Sequence, residues 1–262
     1  MIQMIACDID GTLLPAGQET LPAALHPLIR QLEERGVAFC VASGRQFSNL
    51  YALFGPSAGR VYYVCENGAL VFRKGEPEQP VEKLVLSRDL IRELAASISE
   101  RPECEILFSG LNTSYLMLRD PASLDQIRPY LGSRIISVDR VEEIGDEIVQ
   151  ISAFCRPDTR RPYEALSARW GERVNVTVAG EHWIDFSSAS KGAGLERLCR
   201  ELGIEPGGIM AFGDNFNDVS MLDLVGYPVI METAPEPLRT RYATRCRDVV
   251  ETIRSRLSAV LE

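Results

Sequence analysis

A chain of 262 residues is too long for a minimal module, so it holds one large domain or two smaller ones, and two are expected. Its 45% hydrophobic and 25% charged residues are those of an ordinary globular protein and exclude a disordered or collagenous chain. The excess of 37 acidic over 28 basic side chains, a formal charge of -9, repels nucleic acid and anionic lipid, so neither a nucleic-acid nor a membrane partner is expected.

Taken in chain order, residues 2–7 form an apolar strand, residues 21–35 have a helical pattern stopped by Gly36, and residues 37–42 are apolar again. Strand, helix and strand joined by short connections predict a parallel sheet covered by helices. Residues 61–65 make a further strand. Residues 73–82 (RKGEPEQPVE) then crowd proline, glycine and charge together and mark a boundary. Beyond it the rhythm is helix at 88–100, strands at 104–108 and 114–118, helix at 121–131, strands at 135–138 and 147–154, helix at 162–170, and a hairpin of 173–178 with 183–186 turning at Gly180 and Glu181. After the small polar linker 187–190 the first rhythm returns, with a helix at 193–202, a strand at 209–212 and a helix starting near Asp218. The predicted fold class is therefore α/β, a parallel-sheet core with helices on both faces plus an inserted α+β domain. Residues 1–82 and 188–262 form the core and 83–187 the insert.

Seven cysteines lie scattered, with no CxxC pair, so neither a disulfide framework nor a zinc site is suggested and a reducing cytoplasm is the expected location. The first ten residues lack a basic stretch and carry two aspartates, unlike a signal peptide, and no apolar run would span a bilayer.

The chemistry concentrates at strand ends. Asp8-Ile9-Asp10-Gly11-Thr12 stands where the first strand runs out, at the rim where open α/β sheets bind ligands. Asp8 and Asp10 are two residues apart in extended chain and point the same way, so their mutual repulsion calls for a cation or a shared proton. One aspartate alone would be read as a turn cap. Ser43-Gly44-Arg45 follows the second strand and suits phosphate oxygens; Lys191, before the helix at 193, offers a compact positive charge. Asp214 and Asp218, in Gly213-Asp214-Asn215-Phe216-Asn217-Asp218, add an oxygen ligand for magnesium and a group to orient it from behind. Singly, Ser43 reads as a helix cap, Lys191 as a solvated charge and Asp214 as a turn residue; their joint order argues otherwise.

With these motifs in hand, DIDGTLL from Asp8, SGR from Ser43, the lysine of SASKG at Lys191 and GDNFNDVSML from Gly213, the chain resembles the haloacid dehalogenase-like hydrolase superfamily and, within it, the Cof-type phosphatases with a type IIB cap. The resemblance spans nearly the whole chain. It implies a magnesium-dependent phosphatase acting on a small phosphorylated metabolite, a sugar phosphate or similar, with Asp8 as nucleophile and Asp10 as general acid and base. Magnesium would be held by Asp8, the carbonyl of Asp10 and Asp214, with Asp218 behind, while Ser43, Gly44, Lys191 and Asn217 bind the phosphoryl group. Asn67, in Glu66-Asn67-Gly68, and His182, beside Trp183 and Asp185 on the last hairpin, are candidate substrate contacts; an αL turn residue and a surface residue are the alternatives. The same intermediate would serve a phosphomutase, and a binding or regulatory module without turnover is the alternative from another class. Met231-Glu232-Thr233-Ala234 and Cys246-Arg247-Asp248 depart from the family pattern.

Overall fold

The computed structural model describes residues 2–15, 17–76, 79–111, 113–128, 131, 134–179 and 181–258. The chain opens with β1 (Met4–Cys7), α1 (Leu25–Glu34), β2 (Ala38–Ala42), α2 (Phe47–Phe54), β3 (Val61–Cys65), β4 (Leu70–Phe72) and β5 (Glu82–Lys83). It continues through α3 (Arg88–Ser99), β6 (Cys104–Gly110), β7 (Ser114–Met117), α4 (Leu124–Ile127), β8 (Ile135–Ser137), β9 (Ile148–Cys155), α5 (Arg160–Trp170), β10 (Asn175–Ala179) and β11 (Trp183–Ser187). It closes with α6 (Lys191–Leu202), β12 (Ile209–Gly213), α7 (Val219–Leu222), β13 (Tyr227–Met231), α8 (Glu236–Arg241), β14 (Arg245–Cys246) and α9 (Val249–Arg256).

The first sheet has the order β14-β13-β12-β1-β2-β3-β4-β5. Its strands from β14 to β3 run parallel, and β4 and β5 are antiparallel additions at one edge. β1 lies at the centre and is buried on both faces, which is why residues 4–7 read as an unbroken apolar run rather than an alternating one. Successive side chains serve opposite faces. Ile5 and Cys7 pack with residues of α1, α2 and α9, while Met4 and Ala6 pack with α6 and α7. Both faces are thus covered, the α/β arrangement expected.

The second sheet, β10-β11-β9-β6-β7-β8, is antiparallel except for β7 with β8. One face carries Ile106, Phe108, Ile151, Ala153, Ile184 and Phe186 against α3 and α5. The period of two sends the residues between them, among them Ser109, Gln150, Ser152 and Asp185, to the other face. That face lies over the carboxyl ends of the first sheet, as the hydrogen bonds of Asn67 to Gln150 and Asp185 require.

The expected helix over 121–131 is shorter. A 3-10 turn at Pro121–Ser123, capped by Asp120 accepting from the Ala122 amide at 3.0 Å, leads into the single turn of α4. Residues 129 and 130 of that expected helix lie outside the described residues, as does Gly180 of the expected hairpin turn. No helix of the described residues is long and apolar enough to cross a membrane.

Candidate active site

Parallel strands deliver their carboxyl ends to one rim, and the strand-end motifs of the sequence meet there. Asp8 follows β1, flanked by Ser43 after β2 and Asp214 after β12. Asp8 is 4% exposed and its Oδ1 accepts from Lys191 Nζ at 2.6 Å. The same ammonium donates to Asp218 Oδ1 at 2.6 Å, and the Lys191 side chain has no solvent exposure.

Lys191 was expected just ahead of a helix at 193. It is instead the first residue of α6, because the Ser190 hydroxyl accepts from the Ala193 amide at 3.2 Å and caps the helix two residues earlier. Burial works against the charge of Lys191, but the carboxylates of Asp218 and Asp8 outweigh it and raise its pKa above the usual lysine range. It is a permanent cation, not the solvated surface charge it resembles in sequence.

Asp218 is fully engaged. While Oδ1 holds Lys191, Oδ2 accepts the amides of Asp214 at 2.9 Å and Asn215 at 3.0 Å, so the turn wraps around its own last carboxylate. Asp214 is thereby aimed inward, with Thr12 Oγ1 at 3.5 Å from its Oδ1. Gly11, at φ +87°, makes this approach possible: a Cβ there would lie 2.2 Å from Asp214 Oδ2.

Asp10 turns away from this group. Arg45 forks onto it, Nε to Oδ2 at 2.8 Å and one terminal nitrogen to Oδ1 at 2.5 Å, and the other terminal nitrogen donates to Asn49 at 3.0 Å. The Asp10 side chain is half exposed. Ser43 is buried, its hydroxyl accepting the Arg45 amide at 3.2 Å. Ser43 and Gly44 do not begin a helix as expected, since α2 starts three residues later with Gln46 as its N-cap; they form the loop that leads into it.

The site closes against the second sheet. Asn67 Nδ2 donates to Gln150 Oε1 at 2.9 Å and Asp185 Oδ2 at 2.7 Å, and its Oδ1 accepts from Asn217 at 3.3 Å. Ser152 donates to Asp185 Oδ1 at 2.7 Å and accepts from Gln150 at 3.3 Å. Asn67 was expected near the substrate entrance and Asn217 near the phosphate; the two touch each other, and Asn67 belongs to a clasp between the sheets. His182 sits apart from the carboxylates, its Nδ1 3.1 Å from the Cys155 carbonyl and its ring near Phe154. It nevertheless lines the same cavity of about 230 Å³ as Asp8, Asp10, Ser43, Asp214 and Asn217.

The electrostatics follow from crowding acids in a dry place. Burial raises the pKa of Asp8 well above the carboxylate range despite the pull of Lys191. Burial, reinforced by Asp218, lifts Asp214 to about 7. Burial takes Asp185 to about 6, the hydrogen bonds from Ser152 and Asn67 opposing it. One lysine among three carboxylates leaves a negative deficit.

Asp8, Asp214 and Asp218 each offer an oxygen within 4.8 Å of the others. A hard divalent cation fits that donor set, and the raised pKa values of Asp8 and Asp214 reflect the charge such an ion would relieve. Arg45, Glu66, Gln46, Gln150 and Ser152 were not singled out as site residues from the sequence. The polar positions inside otherwise apolar strand patterns, Gln150, Ser152 and Asp185, were the available signal.

A family model described as haloacid dehalogenase-like hydrolase matches residues 5–247, and that span takes in every motif gathered at this rim. The chain belongs to the haloacid dehalogenase-like hydrolases. It is similar to a 5-amino-6-(5-phospho-D-ribitylamino)uracil phosphatase of Escherichia coli strain K12, at 28% identity over 89% of this chain and 86% of the relative. An HMP-PP phosphatase of Escherichia fergusonii is 28% identical over 91% of this chain and 87% of its own length. Among solved structures, SMU.1108c from Streptococcus mutans UA159 superposes with a TM-score of 0.89 at 23% identity, over 98% of this chain and all 100% of the other. The subclass IIB sugar phosphatase BT4131 superposes at 0.82 with 18% identity, over 98% of this chain and 99% of its own, which shows the same fold. This haloacid dehalogenase-like hydrolase is a phosphoric monoester hydrolase.

Proposed function

We propose that the enzyme is a magnesium-dependent phosphatase of a small phosphorylated metabolite that forms an aspartyl phosphate on Asp8. The observation that supports this most directly is the buried ammonium of Lys191 set 2.6 Å from both Asp8 and Asp218, with Asp8 lining a cavity together with Ser43 and Asp214. Such a cation is suited to hold a phosphoryl group beside a carboxylate that it otherwise neutralises. The relatives are named for phosphatases of small phosphorylated compounds, and a cavity of about 230 Å³ suits a leaving group of that size.

In the first step an oxygen of Asp8 attacks phosphorus. The Asp8–phosphorus bond forms, the ester P–O bond breaks, and Asp10 gives its proton to the departing oxygen. Arg45 occupies both oxygens of Asp10 in this state, so it must release at least one for the proton to be carried. In the second step Asp10 takes a proton from water, whose oxygen attacks phosphorus as the bond to Asp8 breaks. Ser43, Gly44, Lys191 and Asn217 hold the transferring group. Magnesium, held by Asp8, Asp214 and the Asp10 carbonyl with Asp218 behind, would supply positive charge and Lewis acidity. The seven cysteines, all buried and scattered without a CxxC pair, suit a cytoplasmic enzyme.

The test is phosphate release from p-nitrophenyl phosphate with magnesium or chelator, for the wild type and Asp8→Asn. Turnover that needs magnesium and is lost in Asp8→Asn, with an unchanged circular dichroism spectrum, supports the reading. Turnover retained in Asp8→Asn refutes the intermediate. Conversion of a sugar phosphate to its isomer without free phosphate would assign a mutase.

A further inference from the structure

Asn67, Gln150, Ser152 and Asp185 are each no more than 5% exposed, and their hydrogen bonds close into a ring with a single sense. Asn67 Nδ2 donates to Asp185 Oδ2 at 2.7 Å and to Gln150 Oε1 at 2.9 Å. Gln150 Nε2 donates to the Ser152 hydroxyl at 3.3 Å, and that hydroxyl donates to Asp185 Oδ1 at 2.7 Å. Every path ends on Asp185. A carboxylate only accepts, whereas an amide can present either end, so the acid sets the sense of the whole ring. Burial lifts the pKa of Asp185 only to about 6, which leaves it ionised at pH 8.

The ring has an outlet at Asn67. Both N–H groups of its amide are spent inside the ring, so its Oδ1 is left to accept from Asn217 Nδ2 at 3.3 Å. The backbone beneath is fixed. The Asn67 main-chain amide donates to the Ser43 carbonyl at 3.0 Å, and a Cβ at the following Gly68 would fall 2.1 Å from the Ser190 carbonyl. Turning the Asn67 side chain over would set its oxygen against two acceptors, Asp185 and Gln150, in a buried place where unpaired acceptors are costly. Asn217 inherits the sense. It gives one N–H to Asn67 and keeps the other as a donor at the cavity that it lines with Asp8, Ser43 and Asp214. Reversing the Asn217 amide would bring two amide oxygens face to face.

Resting on the reading of Asn217 as a phosphoryl contact, we propose that Asp185 of the inserted domain is a positioning residue for the phosphoryl group: through Asn67 it fixes the orientation in which Asn217 donates to that group. The phosphate site of the core is therefore complete only with the insert seated on it.

A double-mutant cycle at pH 8 with p-nitrophenyl phosphate tests the relay. Asn217→Ala removes a donor to the transferring group and should lower kcat/KM ~100-fold or more. Asp185→Asn keeps the size but presents a donor as readily as an acceptor, and should lower kcat/KM ~10-fold. In the Asn217→Ala background the same Asp185→Asn change should cost less than about 2-fold, since nothing remains for Asp185 to orient. A merely structural role gives losses that multiply, so a full ~10-fold fall in that background overturns the inference. Asp185 also lines the cavity, and direct contact with the leaving group would give unequal losses for p-nitrophenyl phosphate and glycerol 2-phosphate, overturning the relay, which predicts equal ones. Should Asp185→Asn fail to fold, Asn67→Ala breaks the middle link at a residue outside the cavity lining, and the same cycle with Asn217→Ala decides. Calorimetric binding of inorganic phosphate to the four proteins in magnesium repeats the cycle without turnover. If Asp8→Asn retained turnover, the aspartyl phosphate would be refuted while the binding cycle still judged the relay. Independent losses of phosphate affinity in that cycle overturn the relay even if the intermediate stands.

Discussion

Replacing Lys191 with methionine keeps an unbranched side chain and removes the charge that the site is built around. The side chain is wholly buried, and its two partners, Asp8 and Asp218, have side-chain exposures of 6% and 0%. Removing one member of a buried ion pair leaves uncompensated charge and costs about 3–5 kcal/mol. For a chain of this size that corresponds to a fall in melting temperature of about 6–20 °C. The cost is set by ionised acids. Burial already raises the pKa of Asp8 with Lys191 present, and without the ammonium it rises further, so acid should relieve the variant. Differential scanning fluorimetry in chelator should show a large deficit at pH 8 and a smaller one at pH 5.5, and magnesium at pH 8 should recover part of it. Phosphatase activity should fall by about two to three orders of magnitude, as for loss of one charge stabiliser. A variant within about 2 °C of the wild type at pH 8 in chelator would refute the claim that this ammonium neutralises the buried carboxylates, since the loss worked out above is several times larger.

In chelator the wild type should itself lose stability as pH rises. Asp214 titrates near 7 when folded, through burial and then Asp218, against 3.8 as its ordinary value, so its contribution is full below about 4 and lost as pH rises through 7. Thermal melts from pH 5.5 to 8 should slope downward, and magnesium should flatten them. A flat profile in chelator would contradict the crowding of acids. Gly11→Ala would drive a methyl 2.2 Å from Asp214 Oδ2 at φ +87°, and should weaken magnesium activation more than it weakens the fold, read as the metal concentration for half-maximal rate. Asn67→Ala strands Asp185 Oδ2 and Gln150 Oε1 in the clasp and should lower the urea-unfolding free energy by about 1–3 kcal/mol. Arg45→Met, which frees both oxygens of Asp10, should change the rate while leaving the melting temperature within about 2 °C, because an ion pair whose carboxylate is half exposed contributes little.

Much of this was legible in the chain. Residues 4–7 read as a buried strand because a central parallel strand has no solvent face, and the residues after it could be placed at a rim by the same logic. Other elements were readable but unnamed: α2 buries Phe47, Leu50 and Phe54 at helical spacing, and β13 ends in the buried run Val229–Met231. The burial of Lys191 was not legible, since a lysine after Ser-Ala-Ser looks like any solvated charge until two carboxylates from distant segments enclose it. Nor was the fork of Arg45 on Asp10, a contact between loops 35 residues apart.

The sequence by itself determined the periodicities, the order of strand and helix, and which chemical groups end each strand, because these depend on neighbours in the chain. It also marked Met231-Glu232 and Cys246-Arg247 as departures from the family, without saying that they belong together. Only the tertiary structure decided that Cys246 Sγ lies 3.4 Å from Met231 Sδ and that Arg247 pairs with Glu232 at 2.6 Å, so one departure answers the other. It likewise decided which polar groups are mutually satisfied, as around Asp185. Hydrogen bonding and desolvation act through space over a few ångströms, and for residues that far apart in the chain the distance is set by packing alone.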